Sequence, residues 1–384
     1  MIPILIIGCG SIGERHLRCF QMTGRADVRA CDQNPALRVA MQERYGVQVS
    51  ASVDEALAGP LPQAAVVCTP AHTHLPLATQ LLNAELHLLI EKPLAVDTSD
   101  VEAARDAIRR AGRHVAVAYV YRTMPWLVEA RDFLHSGELG RVLHVSCVAG
   151  QHFPTFRPAY RDIYYARREQ GGGAIQDTLT HVVNAVEWIA GPCTRVYCDA
   201  AHLALEGVTV EDTVNVTARH GAVLANYAMT QFQAPNENTI LIHCEKGSVK
   251  IEIHRWRWGC MKHGGEEWVW HVTPSLERDA LFIAQANAFM DGMEGRPTPL
   301  ATFEEAVQTL KFNMAALIRR HRPAGHRRMN SPKELPTENE NQYHPATNHP
   351  LAVRDDSHSH RRDRTTGQAV PQTRPRGCGA VFRD

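Results

Sequence analysis

The first chemistry visible in the sequence is that of a phosphate cradle. Gly8-Cys9-Gly10-Ser11-Ile12-Gly13 follows an apolar run and opens a helical pattern of Ile12, His16, Leu17 and Phe20, the context in which a G-x-G-x-x-G segment binds a dinucleotide. Gly8 permits the tight turn, Gly10 lets backbone N–H groups approach a pyrophosphate, and Gly13 lets the helix lie close to the strand. The helix N-terminus, at Ser11 and Ile12, adds partial positive charge. Asp32 ends the next strand, about 20 residues beyond the glycines, where a carboxylate accepts hydrogen bonds from the adenosine ribose and repels a 2′-phosphate. The spacing therefore predicts NAD in preference to NADP. A second constellation is Asp177, His181 and Asn184, in a helical stretch that stops at Gly191-Pro192. Spacings of four and seven put all three side chains on one face, where they can line one pocket.

These residues need elements to hold them. Up to about residue 120, short β-branched runs alternate with amphipathic stretches, the pattern of βαβ units around a parallel sheet. The expected strands are Ile2 to Ile7, Val28 to Asp32, Ala64 to Cys68, Leu86 to Ile90 and His114 to Ala118. After Tyr121 a helix over Pro125 to His135 precedes period-two segments at Thr213 to Arg219, Val223 to Met229 and Ser248 to Ile253. Such alternation suits an antiparallel sheet with one face covered by helices. Helices near Leu276 to Gly292 and Phe303 to Arg320 would close the fold. The expected class is α/β: a Rossmann domain over 1–121, then an α+β domain with a mostly antiparallel open sheet over 122–321. Residues 322–384 are rich in Pro, His, Arg, Asn, Thr and Asp and poor in apolar side chains. Such a tail cannot bury enough surface to offset its ordering entropy, so disorder is expected.

Composition narrows the partners. A chain of 384 residues, 44% of them hydrophobic, is long enough for two cores. Its 41 basic and 41 acidic residues balance, so no global field favours nucleic acid or an anionic membrane. A small-molecule partner is expected. The ten cysteines form no C-x-x-C pair or disulfide ladder and read as reduced thiols. Met1 to Ile7 lacks a charged leader and reads as a strand rather than a signal peptide, and no apolar run approaches the roughly 20 residues of a membrane span. The cytoplasm is the expected address. No metal is expected: His72 and His74 form an H-x-H pair without a third ligand, and His358 and His360 sit in the polar tail.

Taken in order, the motifs resemble those of the Gfo/Idh/MocA oxidoreductases, over roughly residues 2 to 320. The marks are GCGSIGERHL at 8–17, Thr69-Pro70 with His74, Glu91-Lys92-Pro93, Arg122, GELG at 137–140, GGGAIQDTLTH at 171–181, Phe289 and Pro297. The resemblance implies that Thr69, Pro70, His74 and Glu91 border the cofactor. It also implies that Lys92 lies near the nicotinamide and the reacting hydroxyl, before a proline that is commonly cis. Lys92 directly follows the strand Leu86 to Ile90, and ligands of open α/β sheets gather at the carboxyl ends of strands. Relatives often carry an aspartate at the place of Asn184; here that group is neutral. The family's open sheet commonly packs on another subunit, so a dimer or tetramer is expected.

Oxidising a carbinol removes a proton from oxygen as well as hydride from carbon, so a base and a cation are wanted. His181 is the candidate base, Asp177 the residue that would orient its imidazole, and Lys92 the cation on the reacting oxygen. Arg122 and Asn184 are expected substrate contacts, and Arg157, Tyr160, Arg161 and Tyr164, in the turn-rich segment 151–168, could reach over a sugar-like substrate; for that segment a packing loop is the equal alternative. Trp256, Trp258, Trp268 and Trp270 flank Gly264-Gly265 as in a hairpin and are expected to cover the sheet or a subunit contact. Glu85 stands where relatives usually place a glycine, so Asn83 takes the left-handed position or the turn is rebuilt. The expected activity is hydride transfer between a nicotinamide and a hydroxyl or keto group of a sugar, sugar acid, sugar nucleotide or cyclic polyol. Two alternatives are a hydrolase using transient oxidation by NAD and a non-catalytic dinucleotide sensor.

Overall fold

A computed structural model describes residues 1–319. The low-complexity segment, with His358 and His360, lies outside the described residues. The first half follows βαβ order: β1 (Ile2–Ile7), α1 (Ser11–Met22), β2 (Ala26–Cys31), α2 (Pro35–Tyr45), β3 (Val49–Ser50), α3 (Val53–Ala58), β4 (Ala64–Val67), α4 (His74–Asn83), β5 (His87–Ile90), α5 (Val101–Ala111) and β6 (Val115–Val117). Local chemistry explains the boundaries. Asn34 accepts from the Ala36 N–H ahead of Pro35, and Gly46 ends α2 in the left-handed region at φ 66°; both are helix punctuation that needs no tertiary help. Ser52 accepts from the Glu55 N–H while Glu55 reaches back to the Ala51 N–H, a close variant of the capping box, in which the carboxylate would return to the cap residue's own N–H.

The second half runs α6 (Pro125–His135), β7 (Val142–Gly150), α7 (Phe153–Phe156), a π turn (Ile175–Leu179), α8 (Thr180–Ala190), β8 (Arg195–Ala201), β9 (Thr213–His220), β10 (Val223–Thr230), β11 (Glu237–Cys244), β12 (Gly247–Glu252), β13 (Arg257–Lys262), β14 (Val269–Val272), α9 (Ala280–Met293), β15 (Ala301–Thr302) and α10 (Phe303–Arg319). Two sheets result, ordered β15-β6-β5-β4-β1-β2-β3 and β14-β13-β12-β11-β7-β10-β9-β8. In the first, β1 to β6 pair in parallel and helices cover both faces, which is why β1, β4 and β5 are almost uninterrupted apolar runs. In the second, only β7 and β10 are parallel, and α6, α8 and α10 cover one face. Trp258 belongs to that core, and Trp268 and Trp270 lie against each other on the β13–β14 hairpin.

One expectation of domain organisation is revised. The segment after β14 serves both sheets: α10 packs on the second through Phe312 and Ala316, and the rest of the stretch builds the first. Phe289 and Met290 of α9 join the core on the α1 side, β15 pairs antiparallel with β6, and Phe303, Ala306, Val307 and Leu310 complete the core on the other face. The first sheet is closed by chain about 180 residues downstream of β6 because strand β6 would otherwise be an unpaired edge. Among the described residues no helix is long and apolar enough to cross a membrane, and no group of three or more His, Cys, Asp or Glu is placed to hold a metal ion.

Candidate active site

The glycine loop has the shape its residues require. Gly8 has φ 88°, and a Cβ there would stand 2.8 Å from the Cys68 carbonyl oxygen. A Cβ on Gly13 would run into the Gly8 carbonyl, whereas nothing lies within 4 Å of the Cβ position of Gly10. Two glycines are thus fixed by packing and the third leaves open space above the loop. The first turn of α1 carries no side-chain cap, so the N–H groups at Ser11, Ile12 and Gly13 are available to an anion. Asp32 Oδ2 accepts from the Cys9 N–H and Oδ1 from the Asn34 N–H, both at 2.7 Å. Open space over Gly10, uncapped N–H groups and an aimed carboxylate fit a bound dinucleotide.

Thr69 is half-buried and Pro70 exposed at the end of β4, and His74 is a strut behind them. Its Nε2 faces the Thr69 carbonyl (2.7 Å) and its Nδ1 the Pro93 carbonyl (3.0 Å). Burial holds its pKa below the ordinary histidine value, against the pull of those carbonyls. Glu91 is likewise enclosed: Oε1 meets His16 Nε2 at 2.7 Å, and Oε2 accepts from the Lys92 N–H at 3.0 Å. Burial disfavours its charge, but His16 and Lys92 outweigh that and keep the carboxyl below the usual glutamate range. His74 and Glu91 therefore shape the loop that carries Lys92 instead of facing a ligand. The Lys92–Pro93 peptide is cis.

Lys92 leaves the carboxyl end of β5 and reaches the second domain. Its Nζ donates to the Asp177 carbonyl oxygen at 3.0 Å and to Asp177 Oδ1 at 3.1 Å. Tyr164 Oη donates to the same Oδ1 at 2.5 Å, while Arg157 (3.2 Å) and Thr178 Oγ1 (3.1 Å) donate to Oδ2. Burial works against both ions of the Lys92–Asp177 pair. Their mutual attraction prevails, so lysine is held above its ordinary pKa and aspartate below its own.

Here the structure corrects the expected constellation. The stretch entering α8 begins as a π turn over Ile175–Leu179, and its wider winding takes Asp177 out of the four-residue register with His181. Asp177 consequently grips Lys92, Tyr164, Arg157 and Thr178, and the imidazole is held by rings: Tyr121 lies stacked on it at 4.8 Å and Tyr119 meets it edge-on at 5.9 Å. His181 Nδ1 is buried without a hydrogen-bond partner, which leaves Nε2 as the nitrogen on the accessible side. Burial first, then the charges of Lys92 and Arg157, push its pKa well below 6.5 against the opposing pull of Asp177. The imidazole is neutral at ordinary pH.

Four expected substrate contacts are committed elsewhere. Asn184 is 1% exposed, accepting from Arg122 Nε at 2.8 Å and donating to Thr309 Oγ1 at 3.0 Å; seven residues on, across the π turn, it faces α10. Arg122 is itself 2% exposed, bound to Glu305 and lying over Trp188. Tyr160 is buried with its hydroxyl on the Glu206 carbonyl, and Arg161 packs over that ring and pairs with Glu206. Of the expected substrate group, Arg157 and Tyr164 join Lys92 and Asp177. Tyr119, Tyr121 and His16 were not anticipated. Tyr119 and Tyr121 follow directly on β6, at the carboxyl end where Brändén's rule places ligands, and that signal could have found them.

The architecture and the cradle define a dinucleotide-binding Rossmann domain joined to a second, mostly antiparallel sheet. The chain belongs to the Gfo/Idh/MocA family: residues 2–119 match the model of the oxidoreductase family's NAD-binding Rossmann fold, and residues 127–250 match that of the GFO/IDH/MocA C-terminal domain. It is 26% identical over 187 residues to the rhizopine catabolism protein MocA of Rhizobium meliloti, covering 48% of this chain and 56% of that protein. It is 25% identical over 261 residues to the inositol 2-dehydrogenase of Rhizobium meliloti strain 1021, covering 65% and 75%. The first three curated relatives are matched over 52% to 62% of their own length. The WlbA dehydrogenase of Bordetella pertussis, crystallised with NADH and UDP-GlcNAcA, shares the fold with a TM-score of 0.70 and 24% identity, over 83% of this chain and 96% of that one.

Proposed function

We propose that the protein is an NAD-linked dehydrogenase or reductase that acts on a secondary hydroxyl, or the matching ketone, of a sugar, sugar acid, sugar nucleotide or cyclic polyol. The carrying observation is the Lys92–Asp177 pair: a largely buried ammonium, fixed by a carbonyl at 3.0 Å and a carboxylate at 3.1 Å. It lies at the carboxyl end of β5, in the sheet whose β1 leads into the glycine cradle, and close enough to the neutral imidazole of His181 to act on its charge. Bound NAD supplies the hydride acceptor or donor. Lys92, charged because Asp177 outweighs its burial, donates a hydrogen bond to the reacting oxygen and steadies negative charge there. His181 accepts the hydroxyl proton at Nε2, or returns it in the reverse direction. Asp177 anchors the lysine and takes no proton itself, since it is held below its ordinary pKa. Tyr164 shares Oδ1 with the lysine, Arg157 and Thr178 hold Oδ2, and the partly exposed Arg157 suits hydroxyls or an acidic group.

The substrate class rests on the family and on names such as inositol 2-dehydrogenase among the relatives. A screen of inositols, sugars, sugar acids and nucleotide sugars for NADH formation identifies the compound; net NADH accumulation also separates a dehydrogenase from a hydrolase that oxidises transiently. With that compound, Lys92→Ala and His181→Ala each lower kcat by at least about 100-fold, while calorimetry finds NAD still bound. Retained kcat in either variant refutes the assignment of that residue.

A further inference from the structure

A working histidine is usually oriented by a hydrogen bond from its second nitrogen to a carboxylate or a carbonyl. His181 has none: Nδ1 is buried and partnerless, and the nearby carboxylate of Asp177 is taken up by Lys92, Tyr164, Arg157 and Thr178. What touches the ring is aromatic. Tyr121 covers one face with centroids 4.8 Å apart and planes 18° from parallel, and Tyr119 stands against it at 88°. Tyr121 is tethered in turn, for Asn238 Nδ2 on β11 donates to its hydroxyl at 2.8 Å. Tyr119 is fixed at the other end of the ring cluster by Thr180 Oγ1, 3.3 Å from its hydroxyl.

We propose that Tyr121 is a positioning residue of the active site, a plate that orients the His181 imidazole and supports its protonated form, with Asn238 as the tether of that plate. The inference rests on the proton-transfer role given to His181 above. A stacked ring fixes the plane of the imidazole and the perpendicular ring of Tyr119 packs against it, so the imidazole is held without any bond to Nδ1. The face of Tyr121 also attracts a cation. The charged groups facing the imidazole are Lys92, Arg157 and Asp177: the two cations oppose protonation and the carboxylate favours it. Tyr121 adds stabilisation of the cation while remaining neutral, its hydroxyl pushed up to about 12 by burial. A site with two fixed cations gains from a support of that kind.

The test compares Tyr121→Leu, Tyr121→Phe and Asn238→Leu with the intact chain, by kinetics on the compound that turns over and by NMR of ring-labelled histidine, the His181 signal being assigned from its loss in His181→Gln. Tyr121→Leu lowers kcat by about 10- to 100-fold with KM within about 3-fold, the cost of a misaimed group. Tyr121→Phe keeps the ring and stays within about 3-fold, and Asn238→Leu falls between the two. The His181 ring protons, shifted upfield by the stacked tyrosine, move downfield in Tyr121→Leu and stay in place in Tyr121→Phe. Should Tyr121→Leu fail to fold, Asn238→Leu carries the test through a partial loss in kcat with KM unchanged. An undiminished kcat in Tyr121→Leu, a loss in KM alone, or an unmoved His181 signal overturns the proposal. The NMR arm needs no turnover, so a chain that oxidises nothing yet shows the ring shift refutes the enzymatic reading and leaves the stacking established.

Discussion

Asp32 receives a backbone N–H on each carboxylate oxygen, from Cys9 and from Asn34, so its negative charge is fixed at the end of β2 and cannot swing away from a ligand. Each oxygen keeps a lone pair for a ribose hydroxyl, whereas a 2′-phosphate would meet like charge at short range, which costs several kcal/mol. Asp32→Asn keeps the shape and removes the charge. It is expected to narrow the NAD-over-NADP preference by at least about 10-fold in dissociation constants, and tighter binding of NADP than of NAD by the unaltered chain contradicts the reading. The tight turn at Gly8, the close packing at Gly13 and the strand-end place of Asp32 were legible because backbone geometry enforces their spacing. Lys92, in contrast, was singled out by the resemblance of its Glu-Lys-Pro segment and its place after a strand. Arg122, Asn184 and Tyr160 were misread because a residue's type does not say which side of the chain packs inward. Arginine and asparagine near a site satisfy a buried network as readily as a substrate, and here Arg122 and Asn184 satisfy each other.

At the scale of elements, the pattern of period two gave β9, β10 and β12 to within a residue at each end but did not single out β7, β8 or β11, and Pro125 with its apolar spacing gave α6 as observed. The π turn was beyond such reasoning, since an apolar stripe in a five-residue segment fits a winding of 3.6 or of 4.4 residues per turn equally well. Yet that turn decides the site, because it moves Asp177 from His181 to Lys92. The turn between α4 and β5 was posed as a choice between Asn83 and a rebuilt loop; in fact Glu85 itself takes the left-handed conformation at φ 60°. A side chain pays about 1 to 2 kcal/mol there that glycine does not, while its ion pair with Arg113 is exposed and worth about 0 to 1 kcal/mol. Glu85→Gly should therefore raise stability by about 0.5 to 1 kcal/mol. Chemical denaturation checks this, and a less stable variant shows that the ion pair outweighs the backbone strain.

For the molecule as a whole, the return of α9, β15 and α10 to the first sheet was not legible, because pairing across about 180 residues leaves no local trace. It creates a buried polar chain between the domains: Arg122 bonds Asn184, Asn184 bonds Thr309, and Thr309 donates to Glu187 at 2.6 Å. Gln308 and the Cys193 N–H hold the other oxygen of Glu187. Burial pushes that carboxyl up to about 7, although those hydrogen bonds and the Arg122 charge pull the other way. The folded chain then keeps a proton that the unfolded chain releases near the ordinary glutamate value of about 4.3. Its contribution to stability is whole below that pH and is lost as the pH rises through about 7. Glutamine reproduces the protonated form: its oxygen accepts from Gln308 and Cys193, and its amide donates to Thr309, whose own proton has the Glu305 carbonyl at 3.2 Å. Glu187→Gln should lie close to the parent at pH 5, where little of the contribution has been lost, and exceed it by a further margin of about 2 to 4 °C in thermal midpoint at pH 8. A parent chain whose midpoint does not fall between those pH values, or a variant that tracks it throughout, would mean that the carboxyl is ionised in the fold and that the interdomain network carries a charge pair instead of a shared proton.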